Sequence, residues 1–126
     1  MAASACQLMA LVAIQPKGGQ RKLFSQPKRK PYRNKKILAA ARGEECLART
    51  PYCNGDSSTV VAAHSDYYED GKGKGQKADD HCVVFACSGC HDWFHHAPVS
   101  TSEKRDVWHR AMKRTWRRLL DMEVIK

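Results

Sequence analysis

The sequence predicts a small α+β domain, and three features of the chain support this fold class. Residues 59–64 and 82–86 are short runs rich in β-branched and apolar side chains, which is typical of strands. A Cys-x2-Cys turn from Cys87 to Cys90 follows the second run and leads into a helix that we expect to begin near His91. Apolar residues at helical spacing then predict a long C-terminal helix.

The first 33 residues are predicted to form a flexible basic arm, separate from a domain at residues 34–126. Residues 15–36 combine proline, glycine and clustered Lys and Arg with few apolar side chains, a composition typical of flexible chain. The apolar residues 2–14 have no Lys or Arg before them, and no apolar run reaches about 18 residues. We therefore expect neither an export signal nor a membrane span, and we expect a cytoplasmic location.

Capping residues and loop composition place the remaining elements. Asn34 can cap a short helix, and Gly43 is suited to end it. Ser102 can cap the C-terminal helix, whose apolar stripe should pack on the core. Between the strands, residues 65–80 interleave glycine with lysine and predict a mobile loop that could contact phosphates. The candidate contacts in this loop are Lys72 and Lys74.

Four of the six cysteines have a spacing that indicates a structural zinc site. A Cys-x2-Cys turn supplies two thiolates to one ion at about 2.3 Å, and a second pair closes a tetrahedral site with no open position. Disulfides are the alternative, but they need an oxidising compartment and therefore export. Cys82 fits better as an inert buried thiol, and Cys6 lies outside the domain. The predicted zinc ligands are Cys46, Cys53, Cys87 and Cys90.

His64 and His91 are the candidate catalytic residues. A hydrolytic phosphodiester mechanism needs a base for water and a Lewis acid for the phosphate, and neutral imidazole can act as a base or as a metal ligand. His64 lies at the exit of the first strand, and His91 directly follows a zinc ligand. His95 is one helical turn beyond His91 on the same face, so these two could hold a second, catalytic metal. The alternative is that these histidines are structural or surface residues.

The net charge of +9 is divided into three blocks. Residues 1–43 hold ten Lys and Arg and no acid, residues 44–101 hold four basic and nine acidic residues, and residues 102–126 hold eight basic and four acidic residues. Two basic arms beside an acidic centre favour binding to a phosphate backbone, although solubility alone would also explain them. On the C-terminal helix the candidate nucleic-acid contacts are Arg110, Lys113, Arg114, Arg117 and Arg118.

Together these motifs resemble the HNH, or ββα-metal, endonucleases, in which a histidine closes the first strand and a second strand leads into a histidine-bearing helix. More narrowly, residues 34–96 are similar to the small lambdoid phage and prophage nucleases of the YbcO type, because several short motifs occur in the same order. These motifs are Lys35-Lys36-Ile37-Leu38, Ala41-Arg42-Gly43, Cys46, Pro51, Cys53-Asn54-Gly55, Ala63-His64 and Ala86-Cys87-Ser88-x-Cys90-His91-Asp92.

The resemblance implies a zinc-stabilised ββα-metal fold flanked by an N-terminal helix and a basic C-terminal helix. His64 would be the general base, His91 would bind a catalytic Mg2+, Mn2+ or Zn2+ ion, and the four cysteines would hold a structural Zn2+. No asparagine separates the two histidines in this chain, and Asp80 is the nearest candidate for its orienting role. Ala63 stands where many of these enzymes have a metal ligand.

The same resemblance implies a metal-dependent DNA endonuclease, encoded by a phage or prophage and linked to recombination or replication in a bacterial host cell. Cutting both strands would suit a homodimer. The competing interpretation is a non-catalytic zinc-ribbon module that binds DNA through its basic arms, with His64 and His91 in structural roles.

Overall fold

The fold comes from a computed structural model, which describes residues 29–126. Most of the predicted arm, and with it Cys6, lies outside the described residues. The elements in chain order are helix α1 (Lys35–Ala40), strand β1 (Val61–His64), strand β2 (Val83–Ala86), helix α2 (Ser88–His96) and helix α3 (Thr101–Asp121). Single 3-10 turns lie at Ser57–Thr59 and Tyr68–Asp70. This is the α+β class and the order of elements that the sequence predicts.

The two strands form an antiparallel pair in which His64 lies opposite Val83 and Val61 lies opposite Ala86. All four residues of β2 are buried, because helix α3 packs on this strand. At Phe85, in the middle of β2, the backbone amide donates to the Thr115 hydroxyl of α3 at 3.2 Å. None of the helices in residues 29–126 has the length and apolar character needed to cross a membrane.

Local hydrogen bonds explain where the helices begin. The Asn34 side chain accepts from the Lys36 amide at 3.0 Å, which confirms the predicted cap of α1. The cap of α3 is Ser100 rather than Ser102: its hydroxyl accepts from the Glu103 amide at 3.1 Å, as in a capping box. Helix α2 begins at Ser88, earlier than expected near His91, because the Cys-x2-Cys turn itself forms the first helical turn.

Gly89, in the first turn of α2, lies against the backbone of the loop before β1. A Cβ atom at this position would stand 2.1 Å from the carbonyl oxygen of Tyr52, next to Cys53. We expect Gly89→Ala to lower the free energy of unfolding by about 1–3 kcal/mol or more, since backbone must shift to admit the methyl group. Denaturant unfolding measures this, with Gly73→Ala as control because a Cβ there meets nothing within 4 Å. Equal stability of the two variants would contradict this packing.

Candidate functional site

The four predicted zinc ligands come together at one point, between the loop before β1 and the start of α2. Their Sγ atoms all lie within 4.8 Å of one another. The Sγ atoms of Cys46 and Cys90 are 3.6 Å apart, and those of Cys87 and Cys53 are 3.9 Å apart. A tetrahedral zinc with Zn–S bonds of about 2.3 Å requires about 3.8 Å between sulfurs, whereas a disulfide requires about 2.05 Å. The cluster could therefore hold a metal ion such as zinc.

Hydrogen-bond donors surround these sulfur atoms. The Cys87 amide donates to Cys46 Sγ at 3.3 Å, and the Thr50 hydroxyl donates to Cys90 Sγ at 3.2 Å. Burial raises the pKa of Cys87, but the amides of Cys90 and Asn54 outweigh it and lower that pKa to about 6. Burial dominates at Cys90 and raises its pKa to about 12. At Cys87 the donors thus favour the thiolate, which is the form that binds a metal, whereas burial favours the neutral thiol at Cys90.

The predicted catalytic histidines lie in a second place, an open cleft between the end of β1 and helix α2. Helix α2 doubles back along the sheet, so that His91 and His95 line the same cleft as His64. The ring centroids of His91 and His95 are 4.7 Å apart. Burial, and then the charge of His95, lower the pKa of His91, which favours the neutral imidazole that ligates metals. The other residues that line the cleft are Ala63, Asp66, Tyr67, Phe94 and Trp108.

His64 is held by a buried carboxylate. Its Nε2 lies 2.8 Å from Oδ1 of Asp80, which is only 1% exposed, and the Asn34 amide donates to Oδ2 at 2.7 Å. Burial raises the pKa of Asp80, but the hydrogen bonds from His64 and Asn34 outweigh it and hold this pKa below its ordinary value. An ionised carboxylate only accepts hydrogen bonds. In the neutral ring, the proton of His64 therefore sits on Nε2 and leaves Nδ1 as the basic nitrogen.

The segment that carries Asp80 is anchored, in contrast to the mobile loop predicted for residues 65–80. The Tyr32 amide donates to Asp79 Oδ1 at 3.2 Å, and the Asp80 amide donates to the Tyr32 carbonyl at 3.0 Å. The Arg33 guanidinium donates to the Ala78 carbonyl at 2.8 Å and lies 3.6 Å from Asp80 Oδ1. Two residues that the sequence analysis assigned to the arm thus help to position the partner of His64.

The basic residues predicted to contact nucleic acid lie on two surfaces. Lys72 and Lys74 are exposed in a turn that a bridge between Gly73 and Gln76 closes. On α3, the four exposed cations of this set are Arg110, Lys113, Arg117 and Arg118, whereas Arg114 is half-buried. The three arginines at 114, 117 and 118 have protein partners. Arg114 donates to the carbonyls of Leu47 and Ala48 at 2.9 and 3.3 Å, Arg117 pairs with Asp121 at 3.2 Å, and Arg118 pairs with Glu44 at 2.9 Å.

Sequence reasoning missed two residues beside these sites. Asp66 lines the cleft, and its Oδ2 lies 3.6 Å from Nδ1 of His95. Its closeness to His64 in sequence is the only signal that could have pointed to it. Arg49 is the second. The pKa of Arg114 is lowered first by burial and then by the charges of Arg49 and Arg110. Arg49 therefore adds a cation to the surface of α3, although it comes from a distant part of the chain.

Comparisons with known proteins bear on this arrangement. A family model described as "Putative nuclease YbcO" matches residues 35–124, which include all four zinc-site cysteines and the three cleft histidines. A solved structure described as that of "a putative bacteriophage protein from Escherichia coli str. K-12 substr. MG1655" is 34% identical, with a TM-score of 0.54, over 68% of this chain and 98% of that chain. No curated protein matches the chain significantly.

Proposed function

The chain belongs to the YbcO family, and from this premise we propose that it is a metal-dependent endonuclease of the HNH, or ββα-metal, type that hydrolyses phosphodiester bonds in DNA. One observation carries the proposal: β1 ends at His64, α2 begins just before His91, and both side chains line one cleft. The likeness to a bacteriophage protein supports a phage or prophage origin. For a nuclease of that origin we propose a role in recombination or replication.

In this mechanism His64 is the general base. Its Nδ1 takes a proton from water as the water oxygen attacks phosphorus and the bond to the 3′ oxygen breaks. The leaving 3′ oxygen takes a proton from solvent water, which leaves a 5′-phosphate and a 3′-hydroxyl. Asp80 accepts from Nε2, orients the ring and stabilises the imidazolium that forms. A divalent ion such as Mg2+, Mn2+ or Zn2+, held by His91 and His95, would supply Lewis-acid stabilisation of the charge on the phosphate. The four cysteines would hold a structural zinc, which would tie the start of α2 to the loop before β1.

The exposed cations would bring DNA to the cleft. Lys72 and Lys74 come from the turn, and Arg110 and Lys113 come from α3, with Arg114, Arg117 and Arg118 adding to the same positive field. Each phosphate that such a residue neutralises releases condensed counterions, so binding should weaken steeply as salt rises. A homodimer would place one cleft on each strand of the DNA duplex.

Incubation of the zinc-loaded protein with supercoiled plasmid and Mg2+ or Mn2+ tests the proposal. We expect nicked and linear products with either ion and none in its absence, because the cleft then lacks a Lewis acid. The controls are a matched reaction without divalent ion and a zinc assay of the recovered protein. Tight, salt-sensitive DNA binding without cleavage with either Mg2+ or Mn2+ would favour the non-catalytic zinc-ribbon module instead.

A further inference from the structure

Beside His64, three side chains with metal-ligating atoms line the cleft: Asp66 from the loop after β1, and His91 and His95 from α2. We propose that Asp66 completes a divalent-cation site with His91 and His95 and supplies its one anionic ligand. This inference rests on the proposed function, which it deepens by naming the ligand set of the catalytic ion. Ala63, on the wall of the same cleft, offers no ligand atom.

The chemistry of the set fits a hard or borderline divalent ion. Two neutral imidazoles alone favour Zn2+, Cu2+ or Ni2+, whereas Mg2+ and Mn2+ prefer carboxylate oxygens. Asp66 is the carboxylate that lines the cleft, and its side chain is 56% exposed and has room to turn. By contrast, Asp80 is buried against His64, and Asp92 pairs with His96 at 2.7 Å.

The backbone on both sides of Asp66 is fixed. The Ser65 amide donates to the Cys82 carbonyl at 2.9 Å, and the Ser65 hydroxyl accepts from the Tyr67 amide at 3.0 Å. The same hydroxyl donates to Asp70 at 2.5 Å. A side chain that is free to rotate on a held backbone can reach a ligand position without reordering the loop, which lowers the entropic cost of binding.

The distances require a small closure around the ion. Oδ2 of Asp66 and Nδ1 of His95 are 3.6 Å apart, near the roughly 3–3.5 Å that separates two ligands of one ion bound at about 2.1 Å. Within residues 29–126, however, only the cysteines form a set of three or more ligand atoms all within 4.8 Å of one another. Rotation of Asp66 and His95, whose side chains are 56% and 42% exposed, would bring the three together.

Titration of the zinc-loaded full chain with Mn2+ in the absence of DNA, followed by electron paramagnetic resonance, tests the site. We expect one bound Mn2+ per chain in the wild type, with line broadening of the His91 and His95 ring signals in nuclear magnetic resonance spectra. Asp66→Asn should weaken Mn2+ binding at least about 10-fold, because even an outer-shell partner of a metal ligand changes affinity by that much. The matched control, Asp92→Asn, should bind Mn2+ within about 2-fold of the wild type.

Wild-type affinity in Asp66→Asn, or an equal loss in Asp92→Asn, would overturn the assignment. The failure of this site and the failure of the proposed function are distinguishable. If the wild type cuts plasmid but Asp66→Asn binds Mn2+ as tightly as the wild type, Asp66 is not a ligand and the proposed nuclease function stands. If Asp66→Asn weakens Mn2+ binding but the wild type never cuts plasmid, the metal site stands and the proposed nuclease function is rejected.

Discussion

Replacing His64 with alanine is expected to lower the rate of plasmid cleavage by about 10²–10⁴-fold, the usual contribution of a positioned general base. The reason is geometric: Asp80 holds the proton of His64 on Nε2, so Nδ1 is the nitrogen that can accept a proton from water. Initial rates at saturating Mg2+ or Mn2+ measure the effect. Mn2+ affinity should stay close to that of the wild type, since His64 is not among the proposed ligands.

Two further variants separate loss of the base from loss of structure. Alanine at position 64 removes a hydrogen bond from buried Asp80, at a cost of about 1–3 kcal/mol in the free energy of unfolding. His64→Gln can still donate to Asp80 but cannot act as a base, so it should be as inactive as His64→Ala and more stable. His96→Ala, on the exposed side of α2, should cleave normally. Cleavage at the wild-type rate by either His64 variant would rule out His64 as the base.

Replacing Cys90 with serine is expected to abolish both bound zinc and the cooperative fold. A structural zinc contributes about 10–16 kcal/mol of apparent binding free energy, whereas a whole domain is stable by only about 5–15 kcal/mol. Cys90 is fully buried and lies within the first turn of α2, so losing its bond to zinc would release the helix that carries His91 and His95. Metal analysis and thermal unfolding monitored by circular dichroism measure the two losses.

Cys82→Ala is the matched control for this prediction. Cys82 is also buried but lies outside the cluster, so the variant should keep one zinc per chain and a cooperative fold. A Cys90→Ser protein that melts near the wild-type temperature would show that the fold does not depend on the metal. Retention of one zinc per chain in Cys90→Ser would remove Cys90 from the ligand set.

The elements of the fold were predictable because their signals are local. Asn34 caps the helix that it precedes, and both strands lie within short runs rich in β-branched and apolar residues. All four cysteines of the cluster, Cys46, Cys53, Cys87 and Cys90, were predicted from sequence, and the structure brings their Sγ atoms together. Local patterns of capping and spacing act over a few residues, so one sequence is enough to read them.

The cleft was less predictable because tertiary contacts assemble it. Asp80 stands 16 residues after His64, and its position depends on hydrogen bonds from residues 32–34, about 46 positions earlier in the chain. Its place between His64 and His91 made Asp80 a candidate for the orienting role, but no local pattern encodes its contact with His64. Asp66 is close to His64 in sequence, but the sequence does not show which other histidines lie near it. Only the position of α2 beside the sheet places His91 and His95 in the same cleft as Asp66.

The hydrogen bonds of Tyr32 and Arg33 also decide where this protein can be shortened. A fragment that starts at Asn34 would contain every predicted catalytic and zinc-binding residue and would look complete from its motifs. It would nevertheless lack the Tyr32 amide on Asp79 and the Arg33 guanidinium on Ala78, the contacts that fix the segment behind His64. The safe boundary for expression, crystallisation or fusion to another protein therefore lies before Tyr32.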